Sequence, residues 1–221
     1  MSLKTKLESG KFAITCEVGP LKGTDIHEVE ENAELLKGKV DAANVTDQQS
    51  SVMRLSGLVT ASVLVGKGLE PIFQMTCRDR NRIALQSDLL GAWVLGIRNV
   101  LALTGDLPSL GDHPEAKQVF DLDSVTLLQV IKRLNEGFDM KGNELKGKTD
   151  FFAGAVVKVE SNTEASSELR QAREEGGRRR KIYPDPGRLR AGALRLLYEA
   201  CREIQGAGAG GRDSAEERGY G

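Results

Sequence analysis

The chain has 221 residues, of which 39% are hydrophobic and 29% are charged, and its formal net charge is −1 at pH 7. This balance is typical of a globular protein of one large or two small domains, and we expect neither a nucleic-acid partner nor a membrane partner. No apolar run approaches the roughly 20 residues that a membrane-spanning helix needs.

Five predicted strands alternate with helices along the chain. The pattern predicts a strand over 12–18, a helix from Asp25 to about Lys37, a strand over 42–46, a helix over 55–65, a strand over 70–75, a helix from Asp79 or Asn81 to about Leu95, a strand over 99–103, a helix over 124–134 and a strand over 151–159. The strands are apolar on both faces and the helices are amphipathic, which indicates a parallel sheet covered by helices.

Two parallel folds fit this alternation, an open doubly wound sheet and a (β/α)8 barrel. The first strand is followed by GPLKGTD, without the G-x-G-x-x-G of a dinucleotide fold, and the chain has no phosphate-binding P-loop motif. The barrel is therefore favoured. A complete barrel needs eight strands and about 250 residues, so we predict an incomplete (β/α)8 TIM-barrel fold with about five βα units.

Polar residues follow the predicted strands where a barrel would carry its active site. They are Glu17, Thr46 with the residues 47–49, Gln74 and Thr76, Thr104 to Asp106, and Lys158 with Glu160. Burial of a carboxyl group favours its protonated form, so Glu17 is either a general acid or a structural carboxylate paired with a base. Asp106 is either a turn former or a site residue, and Gly105 beside it permits close approach to a ligand.

The cysteine and histidine residues indicate no metal site. Cys16, Cys77 and Cys201 are odd in number and far apart, with no C-x-x-C spacing, so we expect free thiols in a reducing, cytoplasmic compartment. His27 and His113 stand in polar surroundings, which predicts surface positions for both.

Several separate motifs resemble one family. CEVGP around Glu17, NVTDQQS at Thr46, FQMTCRDRN over 73–81 and LALTGDLP over 101–108 are similar to segments of methylenetetrahydrofolate reductases. The resemblance is to the short bacterial and anaerobe type and covers about residues 10–164, in order and with normal spacing.

The resemblance implies a flavin-bearing barrel that reduces 5,10-methylenetetrahydrofolate to 5-methyltetrahydrofolate in one-carbon and methionine metabolism. It implies FAD as the cofactor, and either NAD(P)H or a partner electron-transfer subunit as the electron donor. The chain could also form a homo-oligomer. Glu17 matches the acid that protonates the folate, and Asp106 matches an aspartate near the flavin and the pterin. Thr46, Gln74, Thr104 and Gly105 match flavin-contacting positions, with Gln74 standing where some members have histidine.

Composition changes after residue 164. Residues 1–164 hold 6 Arg and 13 Lys, whereas residues 165–221 hold 11 Arg, 1 Lys and 10 of the 25 Gly, with no Val. We take 1–164 as the N-terminal part of the barrel and 165–221 as an Arg/Gly-rich tail that is either out of frame or disordered. A basic tail on a non-catalytic barrel fragment, binding an acidic partner, is the alternative function; a different flavin- or phosphate-binding barrel enzyme is a third.

The sequence of the segment 165–221 allows the reading frame to be tested. Synonymous codons can be chosen for residues 181–189 that, when translated one base later, encode K-F-I-Q-T-Q-A-V-Y. This peptide resembles the missing family strand with its Q-T-Q motif. We therefore expect the chain to be out of frame from near Ala165. A chain without the last three strands and the phosphate-holding helix should retain flavin weakly or not at all, and should have no reductase activity.

Overall fold

The computed structural model describes residues 1–156. The helices are α1 (Leu3–Glu8), α2 (His27–Leu36), α3 (Gly57–Lys67), α4 (Arg82–Val94) and α5 (Ser124–Glu136), and the strands are β1 (Thr15–Glu17), β2 (Ala42–Val45), β3 (Pro71–Thr76), β4 (Asn99–Leu103) and β5 (Phe152–Ala155). Short 3-10 turns cover Gln49–Ser51 and Pro108–Leu110. The remainder of the predicted fifth strand, with Lys158 and Glu160, and the whole segment 165–221 lie outside the described residues.

The sheet has the strand order β1-β2-β3-β4-β5, and each neighbouring pair is parallel. An open doubly wound sheet reverses its strand order partway, whereas a barrel adds each strand beside the preceding one. With right-handed crossovers, sequential order also places every helix on the same face of the sheet. The observed order therefore confirms the predicted fold class, an incomplete (β/α)8 barrel, of which residues 1–156 contain five strands.

The two faces of the sheet differ in burial. On the face packed against the helices, Val45, Phe73, Met75, Val100 and Ala102 are all fully buried. Phe73 lies against the first turn of α3, where a β-carbon added to Gly57 would sit 3.4 Å from its ring. On the opposite face, Gln74 and Leu101 are only half-buried, whereas Ile72 and Asn99, nearer the amino-terminal end of the strands, are buried. This half-buried face corresponds to the inside of the barrel.

Helix α1 was not predicted, and it closes the amino-terminal end of the sheet. Leu3 is fully buried with Ala42 and Ile72, and its backbone N–H donates to the Glu70 carboxylate at 3.0 Å. The Lys6 ammonium donates to both oxygens of Asp41, at 2.6 and 2.7 Å. Six residues are too few to give a helical period in the sequence, so only these long-range contacts define the helix.

The later helices begin at side chains suited to capping. Asn81 caps α4, accepting hydrogen bonds from the backbone N–H groups of Ile83 and Ala84 at 3.0 and 3.1 Å. Asp123 caps α5, accepting from the Thr126 N–H at 2.7 Å, and this bond holds the pKa of Asp123 below its ordinary value. Among residues 1–156, no helix is long and apolar enough to cross a membrane.

Candidate functional site

A cleft of about 500 Å³ opens at the carboxyl ends of the strands, on the half-buried side of the sheet. All six candidate residues predicted from the sequence line it: Glu17, Thr46, Gln74, Thr104, Gly105 and Asp106. They come from four different strands and were brought together only by the parallel order of the sheet. The cleft is also lined by Arg78 and Ser124, which the sequence analysis did not single out.

Glu17 is the last residue of β1, and its Cα is the register partner of Asn44 on β2. Its side chain is exposed, so the prediction of a partly buried carboxyl group was wrong for the described chain. The reason is position: Glu17 stands at the open end of the first strand, where no residue of 1–156 covers the cleft. No ion pair between Glu17 and a basic residue is found among residues 1–156.

Thr46 has a buried hydroxyl group that faces this cleft. The residue is 3% exposed, and its Oγ1 has no hydrogen-bond partner among the described residues. A buried hydroxyl without a partner is costly, by roughly 1–3 kcal/mol, and marks a position where a ligand group would be favourable. Gln74, half-buried on the neighbouring strand, lines the same wall.

Gly105 forms the floor of the turn that follows β4. Its φ of +97° is in the left-handed region, and an added β-carbon would lie 3.1 Å from the β-carbons of both Thr76 and Arg78. Glycine is therefore required here for two reasons, the backbone conformation and the close packing against the segment after β3. The turn brings Thr104 to Ser124, whose backbone N–H donates to the Thr104 hydroxyl at 3.3 Å.

Asp106 follows in the same turn, with its side chain exposed at the mouth of the cleft. Its backbone carbonyl accepts from the Ser51 hydroxyl at 3.1 Å and from Arg78 Nη1 at 3.3 Å. The turn after β4 is thus attached to the turn after β2 and to the segment after β3.

A buried ion pair lies at the cleft wall, which Asp47 lines. The Asp47 carboxylate accepts from the N–H and hydroxyl of Thr76, each at 2.9 Å, and from Arg80 at 2.7 and 3.1 Å. Arg80 also pairs with Asp88 on α4 at 2.9 Å. Burial by itself would lower the pKa of Arg80, but the hydrogen bonds and charge of Asp47 outweigh it, and the pKa is raised. The pair fixes the end of β2 to the end of β3.

Asp112 joins three loops at the rim of the cleft. Its carboxylate pairs with Lys22, from the loop after β1, and accepts from the Met53 N–H at 2.9 Å. His113 adds a contact of 2.9 Å. The hydrogen bonds from Lys22 and His113 hold the pKa of Asp112 well below its ordinary value. The loops after β1, β2 and β4 are therefore tied together.

The described residues contain no group of three or more histidine, cysteine, aspartate or glutamate side chains that could hold a metal ion. His27 and His113 have side chains 73% and 54% exposed, which confirms the surface positions predicted for them. Cys16 and Cys77 are both buried, and burial is the main cause that raises the pKa of Cys77 to about 11. With this raised pKa, Cys77 is not a reactive nucleophile at neutral pH.

Two comparisons with known proteins agree with this arrangement. The family model described as methylenetetrahydrofolate reductase matches residues 2–176. A 5,10-methylenetetrahydrofolate reductase of Pectobacterium carotovorum subsp. carotovorum is 38% identical over 64 residues, which are 29% of this chain and 20% of that protein. The aligned region thus spans one fifth of the relative. The family match ends inside the segment 165–221, twelve residues beyond the end that we assign from the motifs.

Proposed function

Because this chain belongs to the methylenetetrahydrofolate reductase family, we propose that its cleft serves the FAD-dependent reduction of 5,10-methylenetetrahydrofolate to 5-methyltetrahydrofolate. The observation that carries the proposal is the convergence of Glu17, Thr46, Gln74 and the turn 104–106 on one cleft at the carboxyl ends of four parallel strands. This is the edge where barrel enzymes carry their active sites.

The residues present fit a flavin. The unpaired, buried Thr46 hydroxyl offers a hydrogen-bonding group to the polar edge of a ring system, and the half-buried Gln74 amide offers both a donor and an acceptor beside it. Gly105, packed closely against Thr76 and Arg78, places the turn backbone at the cleft wall. We assign Thr46, Gln74, Thr104 and Gly105 to holding FAD. The chemistry that bound FAD supplies is hydride transfer to the folate.

Glu17 and Asp106 provide the two carboxyl groups of the site. We assign Glu17 to protonating the folate nitrogen when the methylene bridge opens, because it is the carboxyl group on the inner edge of β1. We assign Asp106 to the mouth of the cleft, where its negative charge acts on the flavin and the pterin. The donor that we propose is NAD(P)H or a partner electron-transfer subunit. We place the reaction in cytoplasmic one-carbon and methionine metabolism.

The assignment of the flavin positions can be tested on the full chain by titration with FAD, followed by flavin absorbance and fluorescence. We expect weak binding, with a dissociation constant above about 10 μM, because the segment 165–221 differs from the family pattern. Thr46→Val should weaken binding about fivefold, the equivalent of one neutral hydrogen bond. Glu17→Gln is the matched control, since it changes a cleft residue that we do not assign to FAD.

The assignment of Glu17 needs a chain whose C-terminal part is translated in the alternative frame. That chain should bind FAD tightly and reduce methylenetetrahydrofolate, and Glu17→Gln in it should lower the rate of folate reduction by about 100-fold or more. Reduction of its flavin by NAD(P)H should be unchanged. FAD affinity that is insensitive to Thr46→Val in both chains, or folate reduction that is insensitive to Glu17→Gln, would contradict the proposal.

A further inference from the structure

Arg78 has every hydrogen-bond donor of its guanidinium group paired, although it lies in a loop segment. The side chain is 3% exposed. Its Nε and Nη2 donate to the two oxygens of Asp79 at 2.8 and 2.7 Å. Its Nη1 donates to the Ser51 hydroxyl at 2.8 Å and the Asp106 carbonyl at 3.3 Å, and Nη2 donates to the Gln48 carbonyl at 3.3 Å. Five donors thus reach acceptors in the segments that follow β2, β3 and β4.

The segment after β2 that Arg78 contacts has an unusual backbone. Gln48, Ser50 and Ser51 have φ values of 50°, 54° and 58°, all in the left-handed region. Each such non-glycine residue costs on the order of 1 kcal/mol, so this turn persists only if the surrounding structure holds it. Arg78 binds the first and the last of these three residues. The Gln48 side chain adds a further restraint by accepting from the Arg54 N–H at 2.7 Å.

The turns after β2 and β4 also approach each other closely, at Gly111 and Ser51. A β-carbon added to Gly111 would lie 1.8 Å from the Ser51 carbonyl oxygen, so only glycine permits this approach. The Ser51 hydroxyl donates to the carbonyls of Asp106 and Leu107 at 3.1 and 2.9 Å. Arg78 sits beneath this junction, and its own backbone carbonyl accepts from the Val119 N–H at 2.8 Å.

We propose that Arg78 is a positioning residue that sets the place of Asp106 at the mouth of the cleft before any ligand binds. It acts through the Asp106 backbone carbonyl and through Ser51, and not by contact with the reacting atoms. That Asp106 matters for flavin and folate rests on the proposed function. That Arg78 fixes the 104–111 turn rests on the contacts alone.

Lysine cannot replace arginine in this role. The guanidinium fork presents five donors in one plane, whereas an ammonium group has three at a single point and cannot reach Ser51, Asp79 and Gln48 together. Arg78→Lys therefore keeps the charge and removes the bridging. Arg82→Lys is a matched control, because Arg82 binds Asp121 with a similar two-pronged geometry, at 2.8 and 2.7 Å, toward the far end of the same β4–α5 loop.

The first measurement is amide hydrogen exchange of the full chain without flavin. The amides to follow are Leu110 and Gly111, which donate within the turn at 3.1 and 2.9 Å. Arg78→Lys should speed their exchange by about tenfold or more, with strand amides of β4 changed less than about twofold. Arg82→Lys should leave Leu110 and Gly111 within about twofold of the parent chain. Equal exchange in the parent chain and Arg78→Lys would overturn the proposal.

A second variant separates geometry from charge. In Arg78→Ala, added methylguanidinium should restore slow exchange of Leu110 and Gly111, whereas methylammonium at the same concentration should not. Rescue by both cations to the same extent would mean that charge alone is needed, and it would overturn the proposal. If Arg78→Ala does not fold, Arg78→Lys and its control still decide the outcome.

FAD titration distinguishes this inference from the proposed function. If both hold, Arg78→Lys weakens FAD binding about tenfold relative to Arg82→Lys, in parallel with the faster exchange. Faster exchange, with no FAD binding by the chain translated in the alternative frame, would contradict the proposed function and support the role of Arg78 in the turn. If amide exchange in Arg78→Lys is unchanged and FAD still binds, the role of Arg78 in the turn is contradicted and the proposed function is supported.

Discussion

The Asp47 carboxylate and the Arg80 guanidinium form a two-pronged ion pair, at 2.7 and 3.1 Å, in which the Asp47 side chain has no solvent exposure. Asp47 follows β2 directly and lines the cleft, and Arg80 lies four residues beyond the end of β3, so the pair joins two neighbouring strand ends at the cleft wall. The two further bonds that Asp47 accepts from Thr76 leave this carboxylate well satisfied. A buried charge is stable in this position only when its partner is present, because an unpaired buried charge costs several kcal/mol.

Removing the Asp47 charge should destabilise the protein strongly. Asp47→Asn leaves the guanidinium of Arg80 buried without its main partner, and we expect a loss of about 3 kcal/mol in the free energy of unfolding, measured by urea denaturation. Asp121→Asn is the control, because its ion pair with Arg82 is more exposed, with side chains 27% and 42% exposed. We expect a markedly smaller loss in Asp121→Asn, because solvent screens the more exposed pair. Equal losses in the two variants would mean that the burial of Asp47 does not matter.

Gly105→Ala should damage the turn of the cleft. The change imposes a left-handed φ on alanine, at about 1 kcal/mol, and adds a contact with Thr76 and Arg78 worth about 1–3 kcal/mol of strain. Gly147 offers a close comparison, because its φ is +100° but nothing lies within 4 Å of an added β-carbon. Gly147→Ala should therefore show only the backbone cost of about 1 kcal/mol. Thermal and urea unfolding of both variants, side by side, would separate backbone strain from packing.

Asp41 should make stability depend on pH at the amino-terminal end of the barrel. Burial opposes its ionisation, but the hydrogen bonds from Lys6 and the Ile14 N–H outweigh this and lower the pKa of Asp41 below 3.8. Its contribution is therefore present above about pH 4 and is lost as the pH falls through the lowered folded-state pKa. Asp41→Asn should cost roughly 1–2 kcal/mol at pH 7, and its difference from the parent chain should shrink as the pH falls below about 4. A difference that stays constant down to pH 2 would contradict this origin.

Local sequence patterns predicted most of the fold. The observed bounds of β4 are those predicted, Asn99–Leu103, and α4 begins after Asn81, one of the two predicted caps. Both depend on local chemistry, β-branched and apolar runs for the strand and a side-chain acceptor for the helix start. The helix from Asp25 begins two residues later, at His27, with Asp25 accepting the His27 N–H at 3.0 Å. Helix α1 was missed because its stability comes from distant partners, chiefly Asp41 and Glu70.

The sequence predicted which strand ends carry the candidate site residues, but not the hydrogen bonds and ion pairs that join the loops around them. Alternation and parallel order suffice to bring Glu17, Thr46 and the turn after β4 to one edge. The pairing of Asp47 with Arg80 and the placement of Arg78 depend on which loops touch, and loops leave no period in the sequence. The exposure of Glu17 was also beyond a local pattern, because burial at a strand end is decided by what covers it.

The last prediction concerns the codons for 181–189, whose structure lies outside the described residues. The family match runs through the printed frame to residue 176 and stops there. If the chain is out of frame from near Ala165, translation of these codons one base later should restore K-F-I-Q-T-Q-A-V-Y. In the alternative frame, each glutamine codon CAG is made of the second and third bases of a proline codon and the first base, guanine, of the codon after it. Both glutamines therefore arise only if the codons of Pro184 and Pro186 are CCA.

Sequencing the gene across these codons is the measurement. A third base other than adenine at Pro184 or Pro186 would rule out the frame hypothesis, whatever the protein does. Adenine at both, with the remaining codons in agreement, should be followed by a functional difference between the two chains. The chain translated in the alternative frame should bind FAD more tightly than the printed chain, because the added strand and helix supply groups that the cleft of residues 1–156 does not contain.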